Sequence, residues 1–339
     1  MMKNYIDKVI RLTTIETETK HIILCGDKNY IKYCGITMTS ILHSNADEKF
    51  TFELFCDDIS DVDLEKLKKT QKKYNTNINI YIINQDKVHS LVGSVNKETH
   101  ISVAGFFRIL AFESLERNVK NALYLDSDIL VKGNISEFWN YEFKNDEIAI
   151  VIEDIEGKIY GERLNINKYF NSGVMFIDLV KWKANGYTDK CITDILTSKY
   201  IMVDQDALNV LLKGKVHFFK NNYNFLYNMD NENNKNKYKI SANIANKMNI
   251  IHFIGKIKPW HDLANYFFIA SDYLNEKDRS PWNDIRIIDI HDIQGILGKY
   301  TYAKSMMRAS IHNEQYFRYI KYLCLFILYK IKILINNIF

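Results

Sequence analysis

The 339-residue chain is 47% apolar with only 2 prolines, so it can bury a substantial core and is not a low-complexity or linker-rich chain. Its cysteines (Cys25, Cys34, Cys56, Cys191, Cys324) are odd in number and lack C-x-x-C spacing, which argues against a disulfide framework or zinc site and fits a reducing compartment. The net charge of +4 is uneven: residues 301–339 hold Lys304, Arg308, Arg318, Lys321, Lys330 and Lys332 against Glu314 alone, giving a +5 tail on a body of −1.

Residues 1–20 are polar and read as a short amino-terminal extension, with Thr, Glu and Lys where a secretory signal needs an apolar core. Ile22–Cys25 reads as a strand. Tyr33–His43 has helical spacing and is ended by Asn45. Thr51–Cys56 is a second strand, Asp63–Tyr74 a Lys-rich exposed helix, and Asn77–Ile83 an alternating third strand. Ala104–Leu115 reads as a helix carrying Arg108, and Ala122–Leu125 as the next strand. Ile148–Ile152 and Val174–Leu179 are further strands, Thr188–Thr197 and Gln205–Leu212 helices, and Asn249–Ile254 a last strand. The Asn/Lys-rich run Asn228–Lys239 reads as a mobile surface loop. Strands alternating with helices predict an α/β fold on a wound, mostly parallel sheet. The organisation expected is an extension (1–20), one catalytic domain (21–285) and a helical basic tail (286–339).

That tail interleaves basic residues with Tyr, Phe, Leu and Ile. Its longest uncharged run, Tyr322–Tyr329, is too short to span a bilayer. The pattern suits a helix lying on an anionic membrane surface, and equally a helix packed on the body or in a dimer. The basic residues form no larger patch and match no nucleic-acid-binding module, so no nucleic-acid partner is expected.

Leu123–Lys132 reads Leu-Tyr-Leu-Asp-Ser-Asp-Ile-Leu-Val-Lys, an apolar run stopping at Asp126 and Asp128. Ligands of α/β proteins sit at the carboxyl edge of the sheet. Two carboxylates there suit a hard divalent cation that bridges to phosphates. Read alone, the motif is also an ordinary acidic turn. Four further segments give it context: His21–Tyr30, Phe170–Trp182 with its Asn-Ser-Gly, Val203–Asn209 with Asp-Gln-Asp, and His252–His261 (His-Phe-Ile-Gly-Lys-Ile-Lys-Pro-Trp-His). In this order the five motifs resemble the family 8 glycosyltransferases over about residues 20–285. Within the family they are nearest the bacterial lipopolysaccharide glucosyl- and galactosyltransferases.

The resemblance implies a single GT-A-type, Rossmann-like domain that binds a nucleotide sugar. It implies Asp126, Asp128 and His252 as metal ligands, and such a mixed set suits Mn²⁺ (or Mg²⁺). It places Cys25, Asp27 and Asn29 around uracil and ribose, and Ser127 in the donor site. Arg108 and Asn171-Ser172-Gly173 would hold the donor sugar. Asp154, or Glu153 one position earlier, would contact a sugar hydroxyl. Gly255 would let the backbone approach the diphosphate and Lys258 would meet it with charge. Asp204 would contact the donor sugar, and Gln205 would face its reacting carbon. Both could also be plain amino-terminal capping residues of a helix, as could Asp206.

A neutral Gln205 is a poor nucleophile. The resemblance therefore implies front-side attack with retention, and Asp206 stays open as an alternative nucleophile. The function expected is transfer of glucose or galactose from UDP to the lipopolysaccharide core. It would occur in the cytoplasm, at the inner face of the bacterial inner membrane. The alternatives are a family member acting on another surface glycan or protein acceptor, and a non-enzymatic nucleotide-sugar-binding scaffold.

Overall fold

Four apolar runs separated by helices make the middle of the main sheet: β2 (Lys20–Cys25), β3 (Phe50–Cys56), β4 (Asn77–Ile83) and β5 (Asn121–Leu125). They pair in parallel in the order β4-β3-β2-β5. Parallel neighbours require crossovers. These are α1 (Ile31–Ser44), α2 (Asp61–Tyr74), and the pair α3 (Gln85–Val92) and α4 (Ala104–Ser114). The start of α2 is set by Ser60, whose hydroxyl caps the Asp63 N–H, and its end by Asn75 in the left-handed region at φ 48°. The computed structural model describes residues 5–92, 104–144, 146–229, 246–262, 264, 267–312 and 314–336.

The sheet continues through β8 (Phe170–Asp178), β7 (Ala149–Glu153) and β9 (Val216–Phe218). Of its eight strands, β2–β5, β7 and β9 run one way, while β8 and β1 (Ile6–Leu12) run against them. Residues 6–12, read from sequence as part of an extension, are thus an antiparallel edge strand on β4. Asp7, Lys8 and Arg11 give this strand the charge that protects a sheet edge, and the same charge hides it from an apolar-run reading.

One face of the sheet (Ile23, Phe55, Tyr124, Val151, Met175) packs on α4, α6 (Leu179–Ala184), α7 (Tyr187–Thr197) and α8 (Val203–Leu211). A short helix, α5 (Lys158–Arg163), precedes β8. After β5 the chain turns through Asp126–Asp128 into β6 (Ile129–Val131), which pairs antiparallel with the short strand Ile250–His252. All these elements belong to one compact unit, Met1–Phe225 with Met248–His252.

A second unit comprises Leu226–Lys247 and Phe253–Phe339. Within it, the helices Ile296–His312 and Tyr316–Asn336 form a hairpin, with the Tyr300 and Phe326 rings stacked at 5.0 Å. The last helix leaves Phe317, Ile320, Cys324, Ile327, Ile331 and Leu334 exposed. Their spacing of three and four residues makes one apolar stripe. Among the described residues, no helix is long and apolar enough to cross a membrane. Residues 230–239 of the expected surface loop lie outside the described residues.

Candidate active site

β5 is buried throughout Ala122–Leu125 and delivers Asp126 and Asp128 at its carboxyl end. Antiparallel pairing then sets the third member of the cluster. His252 lies opposite Ile129, the residue after Asp128. Its Nε2 stands 3.2 Å from Asp128 Oδ1 and 3.6 Å from Asp126 Oδ2. One ligand atom from each of the three residues lies within 4.8 Å of the others. Two carboxylates and an imidazole fit Mn²⁺ or Mg²⁺ in chemistry. Space is kept clear by Gly173: a Cβ there would meet His252 Cε1 at 2.3 Å and Asp126 Oδ2 at 2.6 Å. Ser127 between the aspartates is buried, and its carbonyl accepts the Thr37 hydroxyl at 3.1 Å, tying the turn to α1.

In the sequence the Asn-Ser-Gly segment reads as preceding a strand that begins at Val174. It lies inside β8, which starts at Phe170. The register with β7 jumps from Val151↔Met175 to Ile152↔Asn171, so Ser172, Gly173 and Val174 bulge away from β7. Bulges of this kind re-aim side chains beside active sites. The Gly173 carbonyl accepts the Asp126 N–H at 2.9 Å, which fixes the bulge against the metal cluster.

Arg108 enters from α4 and lies over the Tyr124 ring, 4.7 Å from its centroid. Its Nη1 donates to the Ser172 carbonyl (2.9 Å) and hydroxyl (2.7 Å), and its Nη2 to Asp126 Oδ1 at 3.0 Å. Its Nε lies 3.1 Å from Asp204 Oδ2, an ion pair without hydrogen-bond geometry. Burial raises the Asp204 pKa, and Arg108 opposes that rise. The Tyr124 hydroxyl donates to Asp126 Oδ1 at 2.6 Å. Tyr124 precedes Asp126 by two residues, and strand alternation places both on one face.

Gln205 is buried near the start of α8. Its Oε1 accepts the Ser172 N–H at 3.0 Å and the Asn171 amide at 3.2 Å, and its Nε2 donates to the Tyr169 hydroxyl at 3.2 Å. Asp206 is fully buried. Its oxygens accept from Tyr169 (2.6 Å), Arg163 (2.6 Å) and the N–H groups of Ile201 and Met202 (3.0 and 2.9 Å). A carboxylate enclosed by four donors has no face open to a sugar. This enclosure makes Asp206 a support for Tyr169 and counts against the alternative of a nucleophile.

Asp154 follows β7, and its Oδ1 accepts the Gly157 N–H at 2.8 Å. Burial raises its pKa, and the hydrogen bond from the Gly157 N–H opposes the rise. Its neighbour Glu153 instead lies 3.8 Å from Lys168, partly exposed. At the end of β2, Asp27 Oδ1 accepts the Asn29 N–H at 2.7 Å, and the Cys25 carbonyl accepts the Cys34 thiol at 3.8 Å. Burial raises the Cys25 pKa, and Arg108 and Asp126 both act on it.

Gly255 and Lys258 belong to the second unit. Gly255 has φ 85°, and Lys258 Nζ donates to the Phe253 carbonyl at 2.7 Å. Tyr124, Arg163, Tyr169 and Asn224 were not foreseen from sequence. Only Tyr124 carried a signal, its place two residues before Asp126.

A wound α/β sheet whose carboxyl edge gathers two aspartates, a histidine, an arginine and buried amides is the arrangement of an enzyme with a candidate cation site. The model of the glycosyl transferase family 8 matches residues 21–264. A lipopolysaccharide 1,2-glucosyltransferase of Escherichia coli is 34% identical over 283 residues, 80% of this chain and 81% of that one. A lipopolysaccharide 1,3-galactosyltransferase of Salmonella typhimurium is 27% identical over 278 residues, 78% of this chain and 79% of that one. The crystal structure of the galactosyltransferase LgtC with donor and acceptor sugar analogues aligns at a TM-score of 0.60. It covers 77% of this chain and 96% of that one at 21% identity, a likeness of fold. The chain belongs to glycosyl transferase family 8. It is a glycosyltransferase with a GT-A-type fold.

Proposed function

We propose that the chain transfers glucose or galactose from a UDP-sugar to the lipopolysaccharide core oligosaccharide, with retention at the anomeric carbon. The observation that carries this reading is the Asp126–Asp128–His252 cluster, with Arg108 and Gln205 both bonded to Ser172 in the bulge of β8. Similarity to lipopolysaccharide glucosyl- and galactosyltransferases supports the acceptor class.

A Mn²⁺ or Mg²⁺ ion held by Asp126, Asp128 and His252 would supply Lewis-acid neutralisation of the diphosphate charge. Cys25, Asp27 and Asn29 bind the nucleoside part and Ser127 lies in the donor site, while the sequence resemblance assigns the diphosphate to Gly255 and Lys258. Arg108, Asp154, Asn171, Ser172, Gly173 and Asp204 orient the sugar. Gln205 is uncharged, and the Asp206 oxygens are all engaged, so neither supplies a nucleophile. The acceptor hydroxyl oxygen bonds to the anomeric carbon on the face that the diphosphate leaves. The carbon–phosphate oxygen bond breaks, and the acceptor proton passes to the departing phosphate oxygen. The Gln205 amide lines this face and steadies the developing positive charge.

The exposed stripe on Tyr316–Asn336, with Lys321, Lys330 and Lys332 beside it, suits the anionic inner face of the bacterial inner membrane. The reading as a whole is tested by incubating the protein with a panel of UDP-sugars, Mn²⁺ and core-truncated lipopolysaccharides, then determining the product linkage. Failure to transfer glucose or galactose to any core acceptor would overturn it.

A further inference from the structure

A line of amides joins the cation cluster to Gln205, and backbone donors fix its direction. The Gly173 N–H donates to Asn171 at 2.9 Å. A backbone N–H can only donate, so the Asn171 atom receiving it is Oδ1. Asn224 meets that same oxygen at 3.1 Å and must present its amide nitrogen there. Its own Oδ1 then faces His252 Nδ1 at 3.1 Å. An amide oxygen only accepts, so Nδ1 carries the proton. In a neutral imidazole this leaves Nε2 with a bare lone pair. Nε2 is the atom directed at Asp128 Oδ1 and Asp126 Oδ2.

The other branch is fixed in the same way. The Ser172 N–H donates to Gln205 Oε1, so the Gln205 nitrogen faces Tyr169, whose hydroxyl donates to Asp206. Asn171 joins the two branches, with its oxygen toward Asn224 and its nitrogen toward Gln205. Asn224 and His252 are each 3% exposed, so water does not compete for these bonds.

We propose that Asn224 is a positioning residue that holds His252 in its Nδ1-protonated tautomer. The nitrogen facing the two aspartates is thereby a ready cation ligand before any cation arrives. With Asn224 in place, the opposite tautomer would set a bare Nδ1 lone pair 3.1 Å from the amide oxygen. Without it that cost vanishes, and the charged Asp128 oxygen 3.2 Å from Nε2 would draw the proton there. Loading a cation would then require the ring to exchange its proton. The inference rests on reading Asp126, Asp128 and His252 as cation ligands.

The test reads the ring directly. Long-range ¹H–¹⁵N correlation spectra of the metal-free protein report which His252 nitrogen is protonated. The expected result is Nδ1 in the parent and Nε2 in Asn224→Ala, with the Mn²⁺ dissociation constant of the variant raised about 10–100-fold in titration calorimetry. Asn224→Asp keeps an acceptor opposite Nδ1 but loses the donor to Asn171, so Nδ1 should stay protonated and Mn²⁺ binding should recover to within about tenfold of the parent. A role in packing alone would leave the tautomer unmoved and give no such rescue. Should Asn224→Ala fail to fold, the parent spectrum and Asn224→Asp still decide the question. Protonation at Nε2 in the parent would overturn the proposal, as would Mn²⁺ binding by Asn224→Ala within about twofold of the parent. Absence of Mn²⁺ binding by the parent is a separate failure, since it removes the cation reading itself whatever the tautomer.

Discussion

Gly173→Ala adds a single methyl group at the centre of the cluster. That carbon would lie 2.3 Å from His252 Cε1, 2.6 Å from Asp126 Oδ2 and 2.9 Å from His252 Nδ1. Carbon atoms rest at roughly 3.5–4.0 Å, so the imidazole must retreat by more than about 1 Å. The ring is buried on a strand paired with β6 and has little room to turn. Overpacking of this kind costs about 1–3 kcal/mol, or a melting temperature lower by roughly 2–12 °C at about 2–4 °C per kcal/mol. A ligand displaced by 1 Å should cost about 10²-fold in function. The expected outcome is a folded protein with Mn²⁺ affinity and transfer both down by about that factor, measured by calorimetry and product formation. Unchanged Mn²⁺ affinity in a folded Gly173→Ala protein would refute the claim that this glycine keeps space for the ligands.

Asp128→Ala should abolish transfer while the far-ultraviolet spectrum is unchanged, because a cation ligand supplies several kcal/mol of transition-state stabilisation; near-normal turnover at saturating Mn²⁺ would argue against the assignment. Gln205→Ala should lower kcat more than it raises the donor KM if, as proposed, the amide faces the reacting centre; a change in KM alone would count against that placement. Replacing Phe317, Ile327 and Leu334 together with Asn should abolish flotation with anionic vesicles and spare UDP-sugar hydrolysis. Equal flotation of parent and variant would assign the stripe to packing or self-association.

His261 gives a pH prediction for the second unit. Burial, then the nearby Lys258 charge, lowers its pKa from 6.5 to about 4, and its Nδ1 accepts the Lys258 N–H at 3.2 Å. The unfolded chain takes up this proton first. Stability should therefore be full above pH 6.5 and fall by up to about 3 kcal/mol on acidification toward pH 4. Urea titrations should show this slope in the parent and a shallower one in His261→Asn.

The central strands were legible because β2, β3, β4 and β5 are buried apolar runs bounded by turns. The short or charged elements were not: β1 carries edge charges, and β6 and β9 hold three residues each, too few to show a period. At the site, Asp126, Asp128 and His252 could be read because their motifs recur at fixed order. Asp206 stayed open as a nucleophile in the sequence because a sequence gives the carboxylate without its enclosure. Arg163 comes from α5 and Tyr169 from just before β8, and only folding brings them to it. Asn224 was invisible for the same reason, its two partners lying far away in the chain.

The antiparallel pairing of Ile250–His252 with β6 also sets a timetable for biosynthesis. His252 follows Asp128 by 124 residues, and the chain between them includes a segment of the second unit. At roughly 5–20 residues per second on the ribosome, Asp126 and Asp128 exist for about 6–25 s before their imidazole partner is made. Throughout that interval β6 is an unpaired edge, and the nascent polypeptide displays two carboxylates with no histidine between them. The candidate cation site would thus be completed late in translation, once the chain has returned to its first unit.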